Sequence, residues 1–280
     1  MLASSLQAIV ALPVDNSDVI EVTACKKPSI PPFNSATYYK DALAVQKDAN
    51  RLRATLSSLL HKGTYKHSYS CVWDILDQAD QVAGSPSHVN LIYSQQSFPK
   101  SQKDTGGSGS YWNREHVWAK SHGFPSESMV AYTDAHHLRA CEKNVNSYRG
   151  DRDFHDQGSQ ICLNPYKGSL SGCKAIGTSA SGTFGPPKGS RGEVARMIFY
   201  MEARYTGQSS NTPALTIVNS GTSSGQPRLG YLCRLLAWHR AEPVNALERQ
   251  RNNVIYSWQG NRNPFIDYPA WVETLWGKKC

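Results

Sequence analysis

The chain turns on one stretch, Tyr111-Trp112-Asn113-Arg114-Glu115-His116-Val117-Trp118. It sets a carboxylate beside an imidazole and flanks them with an arginine and aromatic residues. Further along come Asp134-Ala135-His136-His137-Leu138-Arg139 and then Asn144-Val145-Asn146-Ser147-Tyr148-Arg149-Gly150-Asp151. A histidine base, a hard oxygen ligand next to it and further oxygen ligands downstream are the groups that metal-assisted cleavage of a phosphodiester requires. The formal charge of +8 has the sign expected of a polyanion binder.

Working outward, Arg114 to Trp118 reads as a strand end, His137 to Cys141 as its antiparallel partner, and Lys143 to Tyr148 as the opening of a helix. Leu52, Leu56, Leu59 and Leu60 fall at i, i+4, i+7 and i+8, one face of a helix that ends near Leu60. Ser70 to Ala79 reads as a second helix and Val89 to Tyr93 as a short strand. Val194, Met197, Ile198, Met201 and Tyr205 trace a helical stripe, with Arg191, Arg196 and Arg204 on other faces. Asn245-Ala246-Leu247-Glu248 has capping-box spacing and opens a helix that runs to about Trp258. The Gly/Ser/Pro-rich stretch from Gly168 to Ser190 reads as a long surface loop.

Residues 1–37 are Pro/Ser-rich without a sustained period and read as a poorly ordered N-terminal arm. Leu2 to Pro13 is mildly apolar but carries no Lys or Arg, so it makes a poor signal peptide; a removed signal is expected, with a short remnant before the mature chain as the alternative. The 39% hydrophobic content and seven tryptophans support a packed core. No composition break or internal repeat divides residues 38–280, which read as one mixed α/β domain. No apolar run approaches the roughly 20 residues that cross a membrane.

The seven cysteines stand at 25, 71, 141, 162, 173, 233 and 280. None forms a Cys-x-x-Cys pair, which argues against structural zinc. Their dispersion suits disulfides in an oxidising compartment, with buried free thiols as the alternative. Cys162 and Cys173 bracket a short loop and are the easiest pair to close. The odd count leaves one thiol over in a monomer, and Cys280 is the expected orphan.

Four ordered blocks resemble the endonuclease I family of secreted and periplasmic nucleases, within the ββα-metal (His-Me finger) superfamily. They are Asn113-Arg114-Glu115-His116-Val117-Trp118; Asp134 to Leu138 with Val145-Asn146 and Arg149-Gly150-Asp151; Arg191-Gly192-Glu193-Val194-Ala195-Arg196 through Tyr200-Met201; and Gln259-Gly260-Asn261-Arg262-Asn263-Pro264-Phe265. The resemblance implies an α+β domain whose ββα-metal core is surrounded by helices, with Glu115, His116 and Asn146 around one cavity. It implies His116 as general base. It makes Glu115 and Asn146 ligands of one Mg²⁺, for which Mn²⁺ or Ca²⁺ can substitute, and Asp134 and His136 groups that orient the site. Relatives usually have Pro where Ala140 stands, which leaves the turn before the helix looser or makes Cys141 its disulfide anchor.

Adjacent strand residues point to opposite faces, so Glu115 and His116 can serve one site only if the backbone kinks or both reach the cavity from its rim. Phosphate contacts are expected from arginine. Arg149, Arg191 and Arg196 are candidates by motif position, and Arg114 and Arg139 by proximity in sequence. Each competes with a structural ion pair. The reading is a secreted or periplasmic, sequence-nonspecific endonuclease that acts on single- and double-stranded DNA and on RNA. It leaves 5′-phosphates and spans no membrane; the sequence does not give the oligomeric state, and a monomer is favoured. The alternatives are a metal-independent ribonuclease using His116 with His136 or His137, and a non-catalytic nucleic-acid binder.

Overall fold

A computed structural model describes residues 19–106, 111–163, 174–209 and 211–280. The chain enters through β1 (Val19–Val22), which pairs in parallel with β2 (Thr64–His67). Short helices α1 (Ser35–Tyr38) and α2 (Lys40–Val45) lead to α3 (Ala49–His61). Asp48 starts α3 by accepting from the Asn50 and Arg51 amides, and the predicted leucine face buries Leu52, Leu56 and Leu60. Each such leucine contributes roughly 1.5–3 kcal/mol through burial. The expected arm is therefore corrected over 19–37. That stretch adds a strand and a helix to the fold, and the Cys25–Cys71 disulfide fastens it to the start of the next helix. Residues 1–18, including the apolar segment 2–13, lie outside the described residues.

Helix α4 (Val72–Ala79) precedes an antiparallel sheet of β3 (Gln81–Val82), β4 (Ser85–Asn90) and β5 (Ser97–Pro99). The decisive ribbon follows. Strand β6 (Trp112–His116) pairs antiparallel with β7 (Leu138–Glu142), with Glu115 opposite Arg139 and His116 opposite Leu138. Val72, Leu76, Val89, Leu91, Phe98, Trp112, Leu138 and Ala140 form one cluster that seats this ribbon on α4 and the small sheet. Glu142 then caps α5 (Lys143–Arg149) by accepting from the Val145 amide at 2.9 Å, so strand, strand and helix follow in the predicted order. Where relatives carry Pro, the Ala140 N–H donates to Asp80, a bond that proline has no hydrogen to make. Cys141 forms no disulfide and is buried as a free thiol.

A four-stranded sheet runs β8 (Asp153–Phe154), β11 (Thr183–Gly185), β10 (Lys174–Ala180), β9 (Ser159–Leu163) in spatial order. This corrects the predicted loop over 174–185, because Ile176 and Phe184 are buried and Gly177, at φ +134°, takes up the register shift. Cys162 is disulfide-bonded, while its expected partner Cys173 lies outside the described residues. Helix α6 (Arg191–Arg204) is the centre of the molecule, packed by α3 and by α7 (Leu232–Ala241), which follows the β12 (Thr216–Val218) and β13 (Arg228–Gly230) pair. Its stripe reading is too narrow, since every residue from Gly192 to Arg204 is buried. Helix α8 (Ala246–Gln259) has the full Asn245/Glu248 capping box and ends at Gly260, at φ +80°. Helices α9 (Pro264–Asp267) and α10 (Trp271–Trp276) complete the α+β domain. Cys280 is not an orphan: it pairs with Cys233 on α7. Among the described residues no helix is long and apolar enough to cross a membrane.

Candidate active site

The β6–β7 register is regular to His116, so no kink turns the Glu115 and His116 side chains to one face. Alternation sends Asn113 and Glu115 toward α5 and sends Arg114 and His116 the other way. On the α5 side, Asn146 Nδ2 donates to Asn113 Oδ1 at 2.7 Å. In this orientation no bond among the described residues falls on Asn146 Oδ1. One turn later Arg149 meets Glu115. Oε1 of Glu115 accepts from Arg149 Nη1 at 3.0 Å and from the Tyr93 hydroxyl at 2.8 Å, so both contacts spare Oε2. Burial raises the Glu115 pKa, while Arg149 and Tyr93 oppose that rise. A carboxylate oxygen and an amide oxygen on one side of β6 are hard donors of the kind that suits Mg²⁺.

On the other side His116 is buried among Tyr69, Phe124, Tyr132 and His137. Its Nε2 donates to the Tyr132 carbonyl at 2.8 Å, which leaves Nδ1 as the nitrogen able to accept a proton. Burial, and then the neighbouring His137, hold its pKa well below the usual histidine value, so the imidazole is neutral at physiological pH. The short helical turn Val130–Thr133 that presents the Tyr132 carbonyl is fixed from behind, because His137 Nε2 donates to the Ala131 carbonyl at 2.8 Å.

Behind that turn Asp134 is buried. It accepts from the Tyr200 hydroxyl (2.8 Å), the Arg204 guanidinium (2.6 Å), the Tyr205 hydroxyl (2.9 Å) and the Gln259 amide (2.9 Å). Burial alone would raise its pKa, but Arg204 and the adjacent histidines outweigh that and keep it below the ordinary range. His136 Nε2 contacts the Asn261 carbonyl at 3.1 Å and its ring lies against Tyr200, so it faces the core and not the His116 ring.

A histidine held by a backbone carbonyl thus stands at the end of β6, and the Glu115 carboxylate and Asn146 amide lie on its other side, between β6 and α5, so the three groups do not line one face of the strand. The Endonuclease I family model matches residues 48–270, which span all four sequence blocks. The chain belongs to the endonuclease I family. It is 40% identical over 248 residues to an extracellular ribonuclease of Bacillus amyloliquefaciens, an alignment that covers 88% of this chain and 80% of the relative. It is 38% identical over 251 residues to an extracellular ribonuclease of Bacillus subtilis (strain 168), covering 89% and 81%. This endonuclease I member is a secreted nuclease that hydrolyses phosphodiester bonds, and its disulfides suit an oxidising compartment.

The arginines need correction. Arg139 is wholly buried between Asp80 and Glu193. Arg149, equally buried, donates to Glu115 and to the carbonyls of His116 (2.7 Å) and Val117 (2.8 Å). Arg196 makes a two-pronged pair with Glu248. These three guanidiniums are enclosed by protein partners and do not reach the surface to meet a phosphate. Arg191 is half-buried and paired with Asp156 at 2.8 Å. Of the five candidates Arg114 is the one whose side chain is on the His116 side of β6 and not wholly buried; it lies half-buried over Tyr69 and Trp73. Lys120 joins it on this side, with Nζ donating to the Tyr132 hydroxyl at 2.9 Å. Sequence reasoning missed Tyr69, Tyr93, Lys120 and Tyr132. No spacing links the segments that carry the tyrosines to the Glu-His pair.

Proposed function

We propose that the chain is a metal-dependent, sequence-nonspecific endonuclease that hydrolyses RNA and DNA to 5′-phosphate ends. RNA is supported by the names of the two relatives. The observation that carries the mechanism is the His116 bond to the Tyr132 carbonyl. It presents Nδ1 of a neutral imidazole, which takes the proton from the attacking water. Oε2 of Glu115 and Oδ1 of Asn146 would hold Mg²⁺. Bound there, the ion supplies charge neutralisation at the phosphate and its leaving oxygen. Glu115 and His116 leave β6 on opposite faces, so this reading has the scissile phosphate lie across the end of the strand. Arg114 and Lys120 meet its charge from the His116 side. Contacts to phosphate carry no sequence information, which accounts for nonspecific cutting.

The test is cleavage of total RNA and plasmid DNA with and without EDTA, by wild type and His116→Ala. Chelation should abolish cleavage, and the alanine variant should lose about 10²–10⁴-fold in rate while still binding Mg²⁺ in a calorimetric titration. Cleavage that survives EDTA favours the two-histidine ribonuclease instead. His137 is a poor partner for that chemistry: it is fully buried, and burial pushes its pKa down to about 4.

A further inference from the structure

The proposed chemistry leaves Tyr69 without a role, although its ring touches both groups on the His116 side of β6. The Arg114 guanidinium lies 3.5 Å from the Tyr69 ring centroid, and its Nη1 donates to the Tyr69 carbonyl. The same ring stacks on the His116 imidazole at a centroid distance of 5.7 Å and an interplanar angle of 29°. Tyr132 closes the group edge-on, 4.9 Å from Tyr69 and 4.7 Å from His116, and Trp73 backs the guanidinium at 4.2 Å. Tyr69 sits in the turn between β2 and α4. The Cys71 amide donates back to the Ser68 carbonyl and hydroxyl, and Cys71 is tied to Cys25.

We propose that Tyr69 is a positioning residue for phosphodiester hydrolysis: its ring sets the His116 imidazole and the Arg114 guanidinium in one fixed relation, and the Cys25–Cys71 disulfide holds the turn that carries it. The inference rests on the reading of His116 as the base. The bond from Nε2 to the Tyr132 carbonyl fixes one point of the imidazole, and its tilt about that point is set by the rings packed around it, those of Tyr69, Phe124, Tyr132 and His137. Of these four, Tyr69 alone stacks near-parallel on the imidazole and also carries Arg114. The guanidinium gains a cation–π contact from the same ring that stacks on His116, and the Tyr69 backbone carbonyl accepts from it as well. Displacing a reacting group by about 1 Å can cost 10²-fold in rate.

The experiment compares kcat and KM on RNA with Mg²⁺ for wild type, Tyr69→Phe, Tyr69→Leu and His116→Ala, well below each melting temperature. Tyr69→Phe keeps the ring and should stay within about twofold of wild type. Tyr69→Leu should lower kcat by about 10- to 100-fold with KM changed only severalfold. A purely structural tyrosine would lower the melting temperature and leave the kcat of the folded enzyme alone. Tyr69→Leu with wild-type kcat, beside an inactive His116→Ala, overturns this inference and spares the function. Loss in Tyr69→Phe as large as in Tyr69→Leu also overturns it, since the hydroxyl would then be what matters. A fully active His116→Ala overturns both. If the leucine variant does not fold, Tyr69→Met carries the same expectation and the same refutation.

Discussion

Arg149→Met separates the two roles an arginine can have at this site. The guanidinium donates to Glu115 Oε1 at 3.0 Å and to the carbonyls of His116 and Val117 at 2.7 and 2.8 Å. It thereby ties α5 to the end of β6 at Glu115 and His116, the residues proposed to carry the chemistry. Methionine fills much of the space and leaves Glu115, 2% exposed, with the Tyr93 hydroxyl on the oxygen that Arg149 held. Stranding one charge of a buried pair costs about 3–5 kcal/mol. Protonation of Glu115 limits that loss, because its pKa is already raised by burial and Arg149 is the main force opposing the rise. The expected loss is therefore about 3 kcal/mol at neutral pH, a fall of roughly 6–12 °C in melting temperature. Urea unfolding under non-reducing conditions reads it. The salt dependence of nucleic-acid binding, measured in the His116→Ala background, should keep its slope. A loss under about 1 kcal/mol together with a log–log salt slope lower by about 0.9 would refute the clamp. It would return Arg149 to the phosphate.

Nucleic-acid affinity should fall steeply and linearly with log salt. Arg114→Gln should lower the slope by about 0.9 on duplex DNA, whereas Arg139→Gln and Arg196→Gln should leave it unchanged and destabilise the fold; fluorescence anisotropy at several salt concentrations decides this. Stability should fall between pH 6.5 and 4. His136 and His137 are pushed down to about 4 by burial, so in that window the unfolded chain binds protons that the folded chain does not. Each contributes up to about 3 kcal/mol that is fully present above pH 6.5. Urea midpoints that stay flat across the window would contradict their burial. Reduction of Cys25–Cys71 and Cys233–Cys280, which close loops of 46 and 47 residues, should cost up to about 4 kcal/mol each in unfolding experiments run with and without a reductant.

The ββα order was legible because its signals are local. Strand, partner and helix lie within one short span, and Glu142 caps the helix from the adjoining strand residue. The Asn245/Glu248 box was legible for the same reason. The arginine roles were not, because a guanidinium bound for phosphate and one bound for a buried carboxylate look the same in sequence. The carboxylates that decide the matter are remote: Asp80 lies 59 positions from Arg139, and Glu248 lies 52 from Arg196. Cys280 looked unpaired for want of a near neighbour, yet α7 carries Cys233 to it. Tyr69 was invisible for the same reason, since it reaches Arg114 across 45 positions.

The buried arginines also change what the net charge means. Arg139 and Arg251 face Asp80 and Glu193, while Arg149, Arg196 and Arg204 face Glu115, Glu248 and Asp134. Five cations meet five anions, so this interior network adds nothing to the formal +8. The whole surplus belongs to the remaining side chains. The two populations answer to salt differently. Surface charge is screened over a Debye length of about 8 Å at physiological ionic strength, while buried pairs are screened far less. The interior guanidiniums are enclosed by protein partners, and removing one partner from any of these pairs strands a charge. They hold the strand end, the following helix and the turn behind His116 in one geometry. On the proposed reading, binding to a polyanion rests on a separate, salt-sensitive set of side chains, and Arg114 and Lys120 are members of it placed on the His116 side of β6.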